Sequence, residues 1–180
     1  MSGAETGALS PNLHKVAALR IPYFDLDGDE IQFWRVRYLE DLPGFAGAAT
    51  KPQRYAQAPG SLNEVYLPPL LPTPWRTIAN DATQRIIITE GELKAAAGCL
   101  ADLNVMGLGG VDVWRSTKKG LELLPVFDEI KWNGRAVCIL FDSDAATNPN
   151  VVRAQRQLAH ALLKRGAIPT IASLPPGEGG

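Results

Sequence analysis

The chain has 180 residues, 46% of them hydrophobic, with 18 Lys and Arg against 19 Asp and Glu and a formal net charge of −1. That apolar content can build a real core, so a disordered chain is excluded, and the balanced charge excludes a polycation that coats nucleic acid by charge alone, though not a local basic groove. No apolar run reaches the roughly 18–20 residues that span a bilayer, and the N-terminus lacks a signal peptide's basic start and apolar stretch, so a cytoplasmic protein without membrane contact is expected.

In chain order, residues 1–20 read as a tail with a short helical piece near His14–Leu19. Ile21–Leu26 and Ile31–Leu39 read as strands joined through Asp27-Gly28-Asp29-Glu30, a strong hairpin signal. In the second strand Trp34, Val36 and Tyr38 alternate with Phe33, Arg35 and Arg37. Residues 41–64 are rich in Gly, Pro, Ala and Gln and read as irregular, with Val65-Tyr66-Leu67 as one more short strand. Pro68, Pro69, Pro72 and Pro74 make a stiff connection, and Trp75–Ala79 reads as a short helix. Ile86–Thr89 is a wholly apolar β-branched run, the pattern of a strand buried on both faces. Glu92–Asp102 reads as a helix with Leu93, Ala96, Ala97 and Leu100 as its apolar side. Asn104–Leu108 is a strand running into Gly107-Leu108-Gly109-Gly110. Ser116 or Thr117 can cap a helix reaching about Leu124. Ala136–Phe141 is a strand, Asn148-Pro149 starts a helix that Gly166 stops, and Ile168–Ser173 is the last strand. The order divides the chain into a small β-rich N-terminal subdomain (residues 1–80) and an α/β domain (residues 81–180). The second should hold a mostly parallel four-stranded sheet with helices on both faces.

In open sheets of this kind ligands bind at the carboxyl ends of the strands. Glu90 follows the first strand of the α/β half; Asp142 and Asp144 follow the third. Three carboxylates at one crest repel unless protonated or neutralised by a cation, and oxygen-only donors suit Mg²⁺, with Mn²⁺ as an alternative. Such an ion stabilises charge on a phosphodiester in transition. The bland reading is three solvated loop or capping residues. Asp25–Asp29 lacks the spacing of a calcium loop, whose glycine and terminal Glu positions hold Glu30 and Val36. The glycine turn lacks a dinucleotide fingerprint, no Gly-Lys-Ser/Thr phosphate loop occurs, and an aspartate-nucleophile phosphatase would need Thr or Val where Ala146 stands. Cys99 and Cys138 are isolated and His14 and His160 form no cluster, which argues against zinc and for buried thiols.

Ile88-Thr89-Glu90-Gly91-Glu92-Leu93-Lys94-Ala95 resembles the first motif of Toprim domains, in which Glu-Gly ends a strand and opens a helix. Phe141-Asp142-Ser143-Asp144 resembles the Toprim Asp-x-Asp motif. The Gly107–Gly110 turn stands where Toprim domains carry a glycine, and Leu174–Glu178 is similar to the segment after the last strand in primase Toprim domains. The likeness covers about residues 84–178. Ile21–Asp25, Phe33–Tyr38 and Lys51–Tyr55 are similar to the region preceding the Toprim-like domain in plasmid and phage replication proteins. The resemblance implies a Toprim or Rossmann-like fold in which Glu90 acts as general acid or base and touches metal, while Asp142 and Asp144 hold Mg²⁺. Lys94 stands where family members carry Lys or Asp; one turn after Glu90, it is taken with Glu90 as catalytic, facing the site or a phosphate, with a solvent-facing helix residue as the alternative. The family's acidic cluster after the last strand is not seen here, nor is the zinc-binding domain of bacterial primases. Part of a larger protein is therefore expected rather than a complete primase.

Arg35, Arg37, Lys51 and Arg54 are candidate phosphate contacts and Phe33 or Tyr55 candidate base platforms; the alternative is an ordinary charged sheet face. Trp34, Trp75, Trp114 and Trp132 read as packing residues. The expected activity is Mg²⁺-dependent nucleotidyl or phosphoryl transfer on nucleic acid, foremost primer synthesis in plasmid or phage replication. Single-stranded DNA or other nucleic acid, nucleotides and a replicative helicase are the expected partners. A Toprim nuclease and a non-catalytic nucleic-acid or partner-binding module are the alternatives.

Overall fold

In the computed structural model of the protein, residues 1–10, 13–42, 53–57, 60–142 and 148–173 are described. The chain forms two compact units, Met1–Tyr23 with Glu30–Leu62, and Phe24–Asp29 with Asn63–Gly180.

The first unit opens with helix α1 (Gly3–Leu9), entered through a capping box: the Glu5 N–H donates to Ser2 Oγ and the Ser2 N–H to Glu5 Oε2. The helix expected near His14–Leu19 does not form. The Ser-x-x-Glu start signal lies earlier, and Ala18 already opens strand β1 (Ala18–Phe24). Strands β2 (Glu30–Leu42) and β3 (Gln53–Gln57) complete a three-stranded antiparallel sheet in the order β1-β2-β3. Val36 and Tyr38 are buried with Leu13 and Ala18, and Trp34 packs against them. On the other face Phe33 is buried, its ring edge-on to Tyr23 with centroids 4.6 Å apart.

The second unit is built on a five-stranded sheet, β4-β6-β5-β7-β8. Strands β5 (Ile86–Glu90), β6 (Val105–Leu108), β7 (Ala136–Leu140) and β8 (Ile168–Ala172) run parallel. The expected sheet of four strands gains a fifth: β4 (Val65–Tyr66) pairs antiparallel with β6 at the edge. The β6–β7 connection also departs from expectation. No α-helix caps at Ser116; short 3-10 turns occupy Thr117–Lys119 and Pro125–Glu129. Gly120 at φ 68 ends the first, and Pro125, which cannot donate to a preceding turn, starts the second.

Helix α3 (Glu92–Leu100) buries a different side from the one its leucines suggest. Leu93 and Leu100 are 44% and 71% exposed, while Glu92, Ala95 and Cys99 are buried. The buried side carries small residues because β6 comes close. A Cβ on Gly98 would collide with Val105, and one on Gly107 would lie 3.0 Å from Ala95 Cβ. Helix α4 (Pro149–Lys164) follows its pattern: Asn148 accepts the Asn150 N–H, Val151, Leu158 and Leu162 are buried, and Gly166 at φ 84 follows its end.

At the amino end of the sheet lies a fully buried cation. Arg135, just before β7, donates from Nε to the Lys131 carbonyl and from its terminal nitrogens to the carbonyls of Gln84, Ile78 and Ala79 at 2.6–2.9 Å. Ile78 and Ala79 belong to helix α2 (Trp75–Asn80), so the guanidinium adds a further donor to helix-end carbonyls that already accept the Asp81 and Lys131 N–H groups. Burial pulls its pKa below the ordinary guanidinium value, and the charge of Asp81 opposes that shift. Trp75, Trp114 and Trp132 are buried, as expected of packing residues. Among the described residues no helix is long and apolar enough to cross a membrane.

Candidate functional site

The strand order decides where a crevice opens. From β5 the chain passes through α3 to β6 on one side, then returns across β5 to β7 on the other. Right-handed crossovers in both directions require covering elements on opposite faces. The carboxyl ends of β5 and β7 therefore flank a topological switch point, the position at which open α/β sheets leave room for a ligand.

Glu90 is the last residue of β5, and Asp142 lies two residues beyond the end of β7. The strands are direct neighbours, with Thr89 opposite Leu140, so both carboxylates stand at the same crest on backbones about 4.8 Å apart. Register alternation sends Glu90 toward the face of Ile88 and Leu108. Asp142 turns toward α3, so the two approach the crevice from its two sides. Gly91 makes the sharp exit from β5 possible: its φ is 96, and its N–H donates to the Leu108 carbonyl at 2.7 Å. Helix α3 consequently starts at the crest. In its first turn Lys94 directs Nζ at Asp142 Oδ1. Both side chains of that ion pair are close to half exposed, at 47% and 43%. Sequence alone left Lys94 between the site and solvent; the structure joins it to Asp142.

Gly107 has a packing role rather than a turn role. A Cβ there would sit 3.1 Å from the Gly91 carbonyl oxygen and 3.3 Å from Tyr66 Cβ. A side chain would push β6 away from the strand-to-helix turn that carries Glu90. Two residues that sequence reasoning missed also lie here. Glu92, 1% exposed, is a buried acidic residue in the first turn of α3. Burial, and then the charges of Glu92 and Cys99, raise the Tyr66 phenol above its ordinary pKa. Glu64 precedes β4, whose Val65 stands opposite Leu108, so the antiparallel edge strand brings Glu64 to the crest. Burial raises its carboxyl pKa. The sequence signal was an acidic residue at the start of a short apolar run, which points to a crest only once the strand's direction is known.

Asp144 and Lys51 fall outside the described residues, as does Leu174–Glu178. Among the described residues, no group of three or more His, Cys, Asp or Glu is gathered to hold a metal. In the first unit, Arg35 and Arg37 share a face of β2, opposite Gln57 and Tyr55 respectively. Arg35 lies over the Tyr55 ring, 5.0 Å from its centroid, so that ring already carries a cation. Arg54 alternates with Tyr55 and faces the other way. Phe33 is core and presents no platform to a base.

A family model described as a domain of unknown function (DUF3854) matches residues 74–180, which include α2, the four parallel strands and the crest. No curated protein and no solved structure matches the chain.

Proposed function

We propose that this chain, which belongs to the DUF3854 family, is a Toprim-type enzyme carrying out metal-dependent nucleotidyl or phosphoryl transfer on nucleic acid, with primer synthesis as its reaction. One observation carries the reading: Glu90 and Asp142 stand at the carboxyl ends of the two adjacent strands that flank the switch point, and Asp142 is paired with the Lys94 ammonium. The residues suit Mg²⁺ or Mn²⁺. The donors are carboxylate oxygens, the kind such hard ions take, and the Lys94–Asp142 pair is half exposed and so exchangeable at little cost. Glu90, Asp142 and, by the motif, Asp144 would hold the ion. When bound, it supplies charge stabilisation at a phosphoryl oxygen and lowers the pKa of a coordinated hydroxyl or water.

The chain's own groups account for the rest. The Glu90 carboxylate is placed to accept the proton of an attacking hydroxyl at the crevice mouth. The Lys94 ammonium, in the first turn of α3, would serve a phosphate oxygen of the substrate when not paired with Asp142. On the first unit, Arg35 and Arg37 share one sheet face and supply phosphate contacts for single-stranded DNA, and they act as point charges rather than as sequence readers.

The test is incubation with single-stranded DNA, labelled nucleotides and Mg²⁺ or Mn²⁺, for wild type and Asp142→Asn. Metal-dependent extension that drops at least about a hundredfold in the variant supports the reading. Shorter products assign a nuclease instead. The Lys94–Asp142 pair favours one second reading, in which the crest is internally neutralised and the domain only binds nucleic acid or a partner. In that case both proteins retain DNA binding and neither forms metal-dependent product.

A further inference from the structure

The β6–β7 connection and α4 line an open cavity of about 930 Å³ whose walls do not include the crest carboxylates Glu90 and Asp142. Its size lies within the roughly 300–1,000 Å³ of sites for single small molecules. Arg153 and Arg156 reach it from successive turns of α4, and Arg115 from the connection. Their charge is under-compensated. Asp112 serves two guanidinium groups at once, Arg115 at 2.6 Å and Arg153 at 3.4 Å. Among the described residues Arg156 has no hydrogen-bond or ion-pair partner. The cavity's own carboxylate, Glu122, is taken by Lys164 at 2.7 Å, a bond that holds its pKa below the usual range.

Two guanidinium groups sharing one aspartate, beside a third without a carboxylate, call for an anion, and the planar fork of arginine suits phosphate. The remaining wall is mostly apolar, with Thr117, Gln157 and His160 as its polar side chains; Leu121 and Val152 are only partly covered and line the space. A ligand that fits must therefore be anionic at one end and apolar and compact at the other. The cavity also begins beside the crest. Pro149, the first residue of α4, lines it, and Asp112 belongs to the turn that leaves the carboxyl end of β6.

We propose that this cavity binds a nucleoside phosphate, with Arg153 and Arg156 holding the phosphates and Leu121 and Val152 seating the base. The choice of nucleotide as ligand rests on the nucleotide chemistry proposed for the crest, whereas the charge and shape of the cavity do not. A free nucleotide and the end of a nucleic-acid strand share this chemistry, and the cavity's size favours the free nucleotide.

Binding of fluorescently labelled ATP to the full chain in EDTA separates this site from metal chemistry. Wild type is expected to bind, Arg156→Glu to bind at least about tenfold more weakly, and Arg156→Ala to fall between them. Lys131→Glu, the same charge change at the opposite end of the sheet, and Asp142→Asn are expected to match wild type. Unlabelled ATP should displace the label more effectively than inorganic triphosphate or a short oligodeoxynucleotide. Absence of binding by wild type, or Arg156→Glu binding as wild type does, overturns the proposal. So does equal displacement by triphosphate, which removes the base seat, or stronger displacement by the oligonucleotide, which assigns a strand. Weakening by Asp142→Asn overturns it as well, because the nucleotide would then sit at the crest. Metal-free ATP binding that depends on Arg156, in a protein that forms no metal-dependent product, sustains the cavity and removes only the crest reading.

Discussion

The two ends of the parallel sheet each place a cation against oxygen acceptors, with opposite consequences. At the amino end Arg135 is fully buried and donates to four backbone carbonyls. At the carboxyl end Lys94 meets one carboxylate, and both side chains are near half exposed. A buried charge held by four backbone carbonyls has little to offer a ligand, and removing it takes a charge-assisted hydrogen bond from each of them in a dry environment. A half-exposed pair is worth little to stability and can open without cost to the fold. The difference makes the amino end a clasp and leaves the crest free to exchange its ion-pair partner.

Substitution tests that division. The largest expected effect is Arg135→Met, which should lower the unfolding free energy by about 3–5 kcal/mol in a denaturant titration while leaving the properties of the folded crest intact. A loss below about 1 kcal/mol would break the comparison. Next is Gly107→Ala, which presses on Ala95, the Gly91 carbonyl and Tyr66; it should destabilise by about 1–3 kcal/mol and lower activity with it, because Gly91 carries the turn after Glu90. Lys94→Met and Asp142→Asn should each change stability by less than about 1 kcal/mol. They should part company in function: Lys94→Met frees Asp142 and is expected to tighten Mg²⁺ binding several-fold in calorimetry, whereas Asp142→Asn weakens it. Tighter binding in neither variant would mean that the two residues do not compete for a cation.

The smallest effect concerns Glu64. Burial raises its folded carboxyl pKa above the unfolded value, so the folded state holds the proton to higher pH. Its contribution to stability is full below the unfolded pKa and is lost as pH rises through the folded pKa. Glu64→Gln should therefore be the more stable protein at neutral pH, and the advantage should vanish on acidification below the ordinary carboxylate range. Unfolding curves at several pH values read this directly, and a gain that grows toward acid would contradict it.

Where the sequence reading succeeded, a local pattern and its tertiary use coincided. The β-branched run at Ile86–Thr89, the Asn148-Pro149 start and Gly166 stop of α4, and the Asp27-Gly28 turn each carry their cause within a few residues. Where it failed, either a neighbour elsewhere in the chain outweighed the local signal or a breaker inside the segment did. The leucines of α3 face outward because β6 leaves space only for Ala95 and Gly98. The second crossover lost its helix to Gly120 and Pro125. Glu64 reached the crest because β4 joins the second sheet and runs against β6.

The sequence by itself determined the alternation of strands and helices, hence a mostly parallel sheet, and the placement of Glu90 and Asp142 at strand ends, since periodicity and chain order are local properties. Only the tertiary structure decided the strand order that makes β5 and β7 neighbours, the bond from Lys94 to Asp142 and the burial of Arg135. Each of these depends on contacts between residues some fifty positions apart, and no local pattern encodes which distant partner a side chain will meet.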